Sequence, residues 1–235
     1  MNTQRGFTLI EVSIVLLIIA FTLGSIMIPL GTSLEQKAIN DTKQQIADIK
    51  AAIINFTIAN RRMPCPDTTT GNNRDGLENT DGLGACSSEL GSIPHVALNI
   101  PHRQDAWGQP FIYRVTGTFA DTPATGPGTP CNITTNINVS IAMCSAADAD
   151  ITVNDYDLLN AIQIPAATNI SGIIISTGKP TSSDSATEVE NINNNPIYVK
   201  MGYSDRNSTM PFNDIVVWIS PNELIGHLIQ AQILP

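Results

Sequence analysis

The sequence predicts an α+β fold, a long N-terminal helix packed on an antiparallel β-sheet domain, and three observations carry that prediction. Apolar residues recur at mostly three- and four-residue steps through Phe56, and no proline interrupts from Gly31 to Met63. After Pro64 the pattern changes to short apolar segments separated by Gly, Pro, Asn and Asp. A last helix start stands near the end, at Ser220-Pro221-Asn222-Glu223.

The helix is expected from Phe7 to about Arg62, roughly 80 Å at ~1.5 Å per residue. Its two halves differ. The run Val12–Leu30 is uncharged over 19 residues, nearly enough to cross a hydrocarbon core of ~30 Å. Gly24 and Pro29 are places where such a helix bends or unwinds locally. In the second half Leu34, Ile39, Ile46, Ile49, Ile53 and Phe56 form a stripe opposite Lys and Asp, so residues 31–62 read as an amphipathic helix lying under a sheet. Met63-Pro64-Cys65-Pro66 ends it.

The remaining chain, residues 63–235, suffices for one globular domain. Pro94 to Asp105 reads as an irregular connector. Asp105-Ala106-Trp107-Gly108-Gln109-Pro110 reads as a turn: Asp105 bonds the turn backbone, Gly108 permits a positive φ, and Trp107 buries area. It leads into a strand, Phe111–Val115. Further strands are expected at Ile137–Ala142, Gly172–Ser176, Ile197–Tyr203 and Asp214–Ile219. Ile173-Ile174-Ile175 is apolar on both faces and suits a central strand. Ser220 opens a short helix with Leu224, Ile225, Leu228 and Ile229 on one side.

With 14% charged residues, a net charge of −9 and no basic cluster, the composition argues against a nucleic-acid partner. Four cysteines fit an oxidising compartment. They allow three pairings, which sequence alone does not decide; the reading adopted is the two local bridges, Cys65–Cys86 and Cys131–Cys144. Zinc is the rival, but no C-x-x-C occurs. His95, His102 and His227 are scattered, and no hydrolase, metalloprotease or phosphate-binding motif is present, so no enzymatic activity is expected. No cofactor is expected, with calcium left as a candidate in two places: the oxygen-rich loop Asn72–Gly82, and the pair Ser176-Thr177-Gly178 with Asn213-Asp214-Ile215. Polar loops of this kind are mostly solvated turns, so no ligand is assigned.

The N-terminal segment names a family. Gly6-Phe7-Thr8-Leu9-Ile10-Glu11-Val12 places a glycine before a greasy helix that carries one carboxylate. An ionised glutamate in an apolar span is costly and usually marks function. An ordinary secretory signal would end in an A-x-A-like site, and Gly31–Glu35 offers none. An ordinary signal anchor would explain neither Glu11 nor the glycine before Phe7.

From Gly6 to Leu30 the chain resembles the signal of type IV pilins and type II secretion pseudopilins. The resemblance implies that residues 1–6 are a leader cut by a prepilin peptidase between Gly6 and Phe7, that Phe7 is N-methylated, and that Glu11 guides assembly. It implies a transmembrane and assembly role for residues 7–30, and a pilin-like form for the domain. The turn Asp105–Tyr113 is similar to a D-x-W-G-x-P-x-x-Y turn of the major pseudopilin, and the second calcium candidate resembles that protein's calcium loop.

The function so implied is that of a minor pilin or pseudopilin in a type IV pilus or secretion pseudopilus. The alternative is a tip adhesin or other binding protein using the same signal. Implied partners are other pilins or pseudopilins, the prepilin peptidase and an inner-membrane assembly platform. The implied location is the bacterial inner membrane, with the domain in the periplasm, and then a filament.

Overall fold

The computed structural model describes residues 6–69, 74–82, 84–120, 144, 146–157, 162–180, 185–202 and 211–232, with the side chains at 23–30, 157 and 162 left aside. The chain divides into two compact units, Met1–Asn40 and Asp41–Pro235. Helix α1, Leu9–Asn60, crosses that boundary, and its helical backbone carries through Gly24 and Pro29. It ends two residues before the expected Arg62, because Arg61 takes a left-handed conformation (φ 59°) and donates its N–H to Thr57 O at 2.8 Å. That is a C-terminal cap made without glycine.

In the second unit two sheets form. The first has the order β1 (Leu90–Ser92), β2 (Ile112–Val115), β5 (Gly172–Ser176), β7 (Ile215–Ile219), antiparallel throughout. The second has the order β4 (Ile162–Ile170), β3 (Ile151–Asp157), β6 (Ile197–Lys200). Here β3 and β4 are antiparallel while β3 and β6 run parallel. Short helices α2 (Gly117–Ala120), α3 (Ala186–Glu190) and α4 (Pro221–Gln230) complete the set. The architecture is α+β, with helix packed on antiparallel sheet.

All five residues of β5 are buried, as its triple isoleucine requires. Ile174 belongs to a core shared with Ile46, Ile49 and Ile53 of α1, with Phe111, Tyr113 and Val115, and with Leu224 and Leu228 of α4. Ile173 and Ile175 belong to a second core with Ile151, Val153, Ile170 and Tyr198 of the other sheet. Burying each such isoleucine contributes roughly 1.5–3 kcal/mol. A Cβ on Gly172 would lie 2.6 Å from Met63 Cε, so a side chain there would require the tip of that methionine to shift. Leu34, expected on the buried stripe, belongs to the first unit and is 60% exposed.

Polar groups fix these layers. Lys50 Nζ donates to Trp218 O at 3.0 Å and pairs with Glu223 Oε1 at 2.8 Å, tying α1 to β7 and α4. The helix start at Ser220 therefore forms only half of a capping box: Ser220 Oγ accepts from Glu223 N at 3.2 Å, while the glutamate's carboxylate turns to Lys50. A full box closes α3 instead, between Ser185 and Glu188.

In the Asp105 turn, Oδ1 accepts from Trp107 N (2.9 Å) and Gln109 N (2.8 Å), and Oδ2 accepts from Ser176 Oγ (2.6 Å). Gly108 has the anticipated positive φ of 81°, and Trp107 is half-buried. Cys65 and Cys86 are bridged, with Cα atoms 5.3 Å apart, and the closed loop contributes about 3 kcal/mol on a chain-entropy argument. Cys144 is also disulfide-bonded; Cys131 and the expected strand Ile137–Ala142 lie outside the described residues. The expected strand from Ile197 ends at Lys200, and Tyr203 too lies outside them.

Two predictions follow from this packing. Asp105→Ala leaves three donors unpaired, two of them backbone groups, and should destabilise the chain by about 2–4 kcal/mol, with Asp105→Asn costing less; denaturation followed by Trp107 and Trp218 fluorescence measures both. Burial pushes the Tyr198 hydroxyl up to about 12 against the opposing pull of the Arg114 guanidinium, and burial raises Tyr113 well above the ordinary value near 10. Above pH 10 the unfolded chain releases these protons and the folded chain keeps them. Stability should therefore be level at neutral pH and fall from about pH 10 towards 12. Tyr198→Phe removes one of these two hydroxyls and should make the alkaline fall shallower.

Candidate functional site

The N-terminal segment contains the residues singled out from the sequence, and its local geometry follows from one short motif. Gly6, Phe7 and Thr8 are non-helical and α1 begins at Leu9, so Thr8 occupies the N-cap position and Glu11 the third helical position. Thr8 N donates to Glu11 Oε2 at 2.9 Å, Glu11 N donates to Thr8 Oγ1 at 3.4 Å, and Thr8 Oγ1 donates to Glu11 Oε2 at 2.8 Å. This is a reciprocal capping box, and it places a carboxylate at the positive end of the helix dipole. The sequence reading missed it, although Thr8-x-x-Glu11 before an apolar run is its signature.

Among the described residues nothing lies within 4 Å of where a Gly6 Cβ would be, and its backbone is outside the left-handed region. Phe7 is 88% exposed. Both residues flanking the Gly6–Phe7 bond are therefore exposed among the described residues.

Around Glu11, from Leu9 to Thr22, the helix is apolar on every side. Leu9, Ile10, Val12, Leu17 and Phe21 are all exposed, and such a surface calls for a lipid or protein cover. Its hydroxyls are paired internally, Ser13 Oγ to Ile10 O at 2.8 Å and Thr22 Oγ1 to Ile18 O and Ile19 O at 3.0 Å each. That is the arrangement an apolar medium requires. Among the described residues no helix is long and apolar enough to cross a membrane; the uncharged run extends to Leu30, through the side chains left aside.

Of the first calcium candidate Asn72 and Asn73 lie outside the described residues, and the carboxylates that are described bond the protein itself. Glu78 accepts two hydrogen bonds from Arg62, at 2.7 and 3.0 Å, and one from Cys65 N at 2.7 Å. Asp75 and Asp81 accept from the backbone N–H groups of Leu77 and Ala85. The edges of the second candidate do meet, with Asn213 Nδ2 donating to Lys179 O at 2.8 Å, and a Cβ on Gly178 would clash with Asn213 O. Asp214 Oδ2, however, accepts from Asn191 Nδ2 at 2.8 Å. Among the described residues no group of three or more His, Cys, Asp or Glu is arranged to hold a metal. The histidines stand in separate settings: His102 pairs with Asp48 at 3.2 Å, His95 lies over Gly76, and His227 is in α4.

The family model of the prokaryotic N-terminal methylation motif matches residues 1–27. This is the type IV pilin and pseudopilin signal. It ends within α1, spans Gly6, Phe7 and Glu11, and marks the chain as a substrate of the prepilin-peptidase type. No curated protein and no solved structure matches the chain.

Proposed function

We propose that the chain is a structural subunit, a minor pilin or pseudopilin, of a type IV pilus or type II secretion pseudopilus. In this reading it is a substrate and building block rather than an enzyme. A prepilin peptidase cuts between Gly6 and Phe7, the new amine on Phe7 is methylated, and α1 carries the subunit from the inner membrane into a filament of similar subunits. An inner-membrane platform drives that transfer, and the second unit faces the periplasm. The observation that carries the reading is the methylation motif on an exposed Gly6–Phe7 bond followed by a helix with an uncovered apolar surface.

Glu11 has a role in each stage. In the precursor its carboxylate is engaged by Thr8 alone among the described residues. Cleavage creates a charged amine one helical turn away, where an unpaired charge in apolar surroundings is expensive and a carboxylate offsets it. In a filament the amine of a neighbouring subunit is the partner that sets the axial register of adjacent helices.

Mass spectrometry of the N-terminal peptide from cells with an active prepilin peptidase should find a methylated Phe7, and a bulky residue in place of Gly6 should abolish the cut. An unmodified Met1 terminus would overturn the reading. Glu11→Gln keeps the acceptor that the capping box needs and removes the charge. It should insert into the membrane normally yet be depleted at least about ten-fold from sheared filaments, since losing a buried charge pair costs more than 1.4 kcal/mol; incorporation at the unaltered level would defeat the register role.

A further inference from the structure

The capping box bears on the bond two residues before it. An α-helix entering apolar surroundings does not stop freely, because its first four N–H groups need acceptors, and extension upstream supplies them. Phe7 is compatible with helix, and Asn2 and Thr3 offer alternative caps further up. If the helix began there, the Gly6 carbonyl would accept from Ile10 N and the Gly6–Phe7 peptide would be locked into the helical ladder. Instead Thr8 and Glu11 satisfy each other's N–H groups at 2.9 and 3.4 Å, and residues 6–8 remain outside the helix.

We propose that Thr8, through its capping box with Glu11, is a positioning residue for processing: it fixes the first helical residue at Leu9 and holds the Gly6–Phe7 bond in open, non-helical backbone for the peptidase. This rests on the reading that a prepilin peptidase cuts after Gly6. In that hydrolysis the C–N bond breaks, water gives its hydroxyl to the Gly6 carbonyl carbon and a proton to the Phe7 nitrogen, and Thr8 exchanges no atoms. Its part is conformational, so a side chain of different chemistry but equal capping strength should replace it.

The test uses the full-length precursor and its Thr8→Val, Thr8→Ser and Thr8→Asn variants, each expressed with an inducible prepilin peptidase. Loss of the leader is timed by mass on the membrane-inserted fraction only, so differences in insertion do not enter. Valine matches threonine in shape and cannot cap; its cleavage should slow about five-fold, the usual consequence of losing an N-cap. Serine and asparagine are good caps and should restore cleavage to within about two-fold of threonine. Equal rates for Thr8→Val and the unaltered chain would overturn the positioning role while leaving the processing reading intact. Slow cleavage of all three variants would also overturn it, because the peptidase would then be reading threonine itself. A leader retained by the unaltered chain would remove the processing reading and this proposal together.

Discussion

A strand buried on both faces has to be covered twice, and β5 imposes that requirement on the rest of the second unit. Ile174 points into one core and Ile173 and Ile175 into another, so neither a lone sheet nor a lone helix–sheet pair satisfies the strand. The stripe Ile46, Ile49 and Ile53 covers one side, and the sheet of β3, β4 and β6 covers the other. The polar ties then follow the layers. Asp105 links its turn to the end of β5 through Ser176, and Lys50 links α1 to β7, the strand hydrogen-bonded beside β5.

The first unit obeys the opposite rule. From Leu9 to Phe21 its apolar side chains are uncovered, the hydroxyls of Ser13 and Thr22 are turned back on their own helix, and the Glu11 carboxylate is held at the helix start by Thr8. In water this surface is unfavourable by the same hydrophobic term that stabilises the second unit. The two ends of one helix are thus suited to different media.

How legible this was depended on how local each signal is. Gly172–Ser176 was readable because a run of three isoleucines has few other uses, and Gly108 because a tight turn needs a positive φ there. The α4 start at Ser220 was readable from its Pro and Glu, but not the diversion of Glu223 to Lys50, which depends on a contact across 173 positions (223 − 50). Strand β4 was missed because Pro165, Asn169 at φ 56° and the register shifts in its pairing with β3 break the period-two alternation. Strand β3 carries Asn154, Asp155 and Asp157 and reads as loop. Strand β1, Leu-Gly-Ser, has no signal of its own and exists because β2 offers it an edge. At the site, Gly6, Phe7 and Glu11 were legible as a motif, while Thr8 was passed over because its meaning lies in a pairing three residues away.

The tie between Lys50 and the Trp218 carbonyl joins residues 168 positions apart. A chain threaded through a membrane pore from its N-terminus would deliver α1 early and β7 and α4 last. Until those final elements arrive, Ile46, Ile49 and Ile53 lack Ile219, Leu224 and Leu228 from their core, and β5 lacks its neighbour β7. The folding order is thereby opposed to the order of delivery, and contacts of such long sequence separation form slowly. Truncation before Pro221 would leave a sticky, half-covered helix, the kind of intermediate that chaperones and proteases capture.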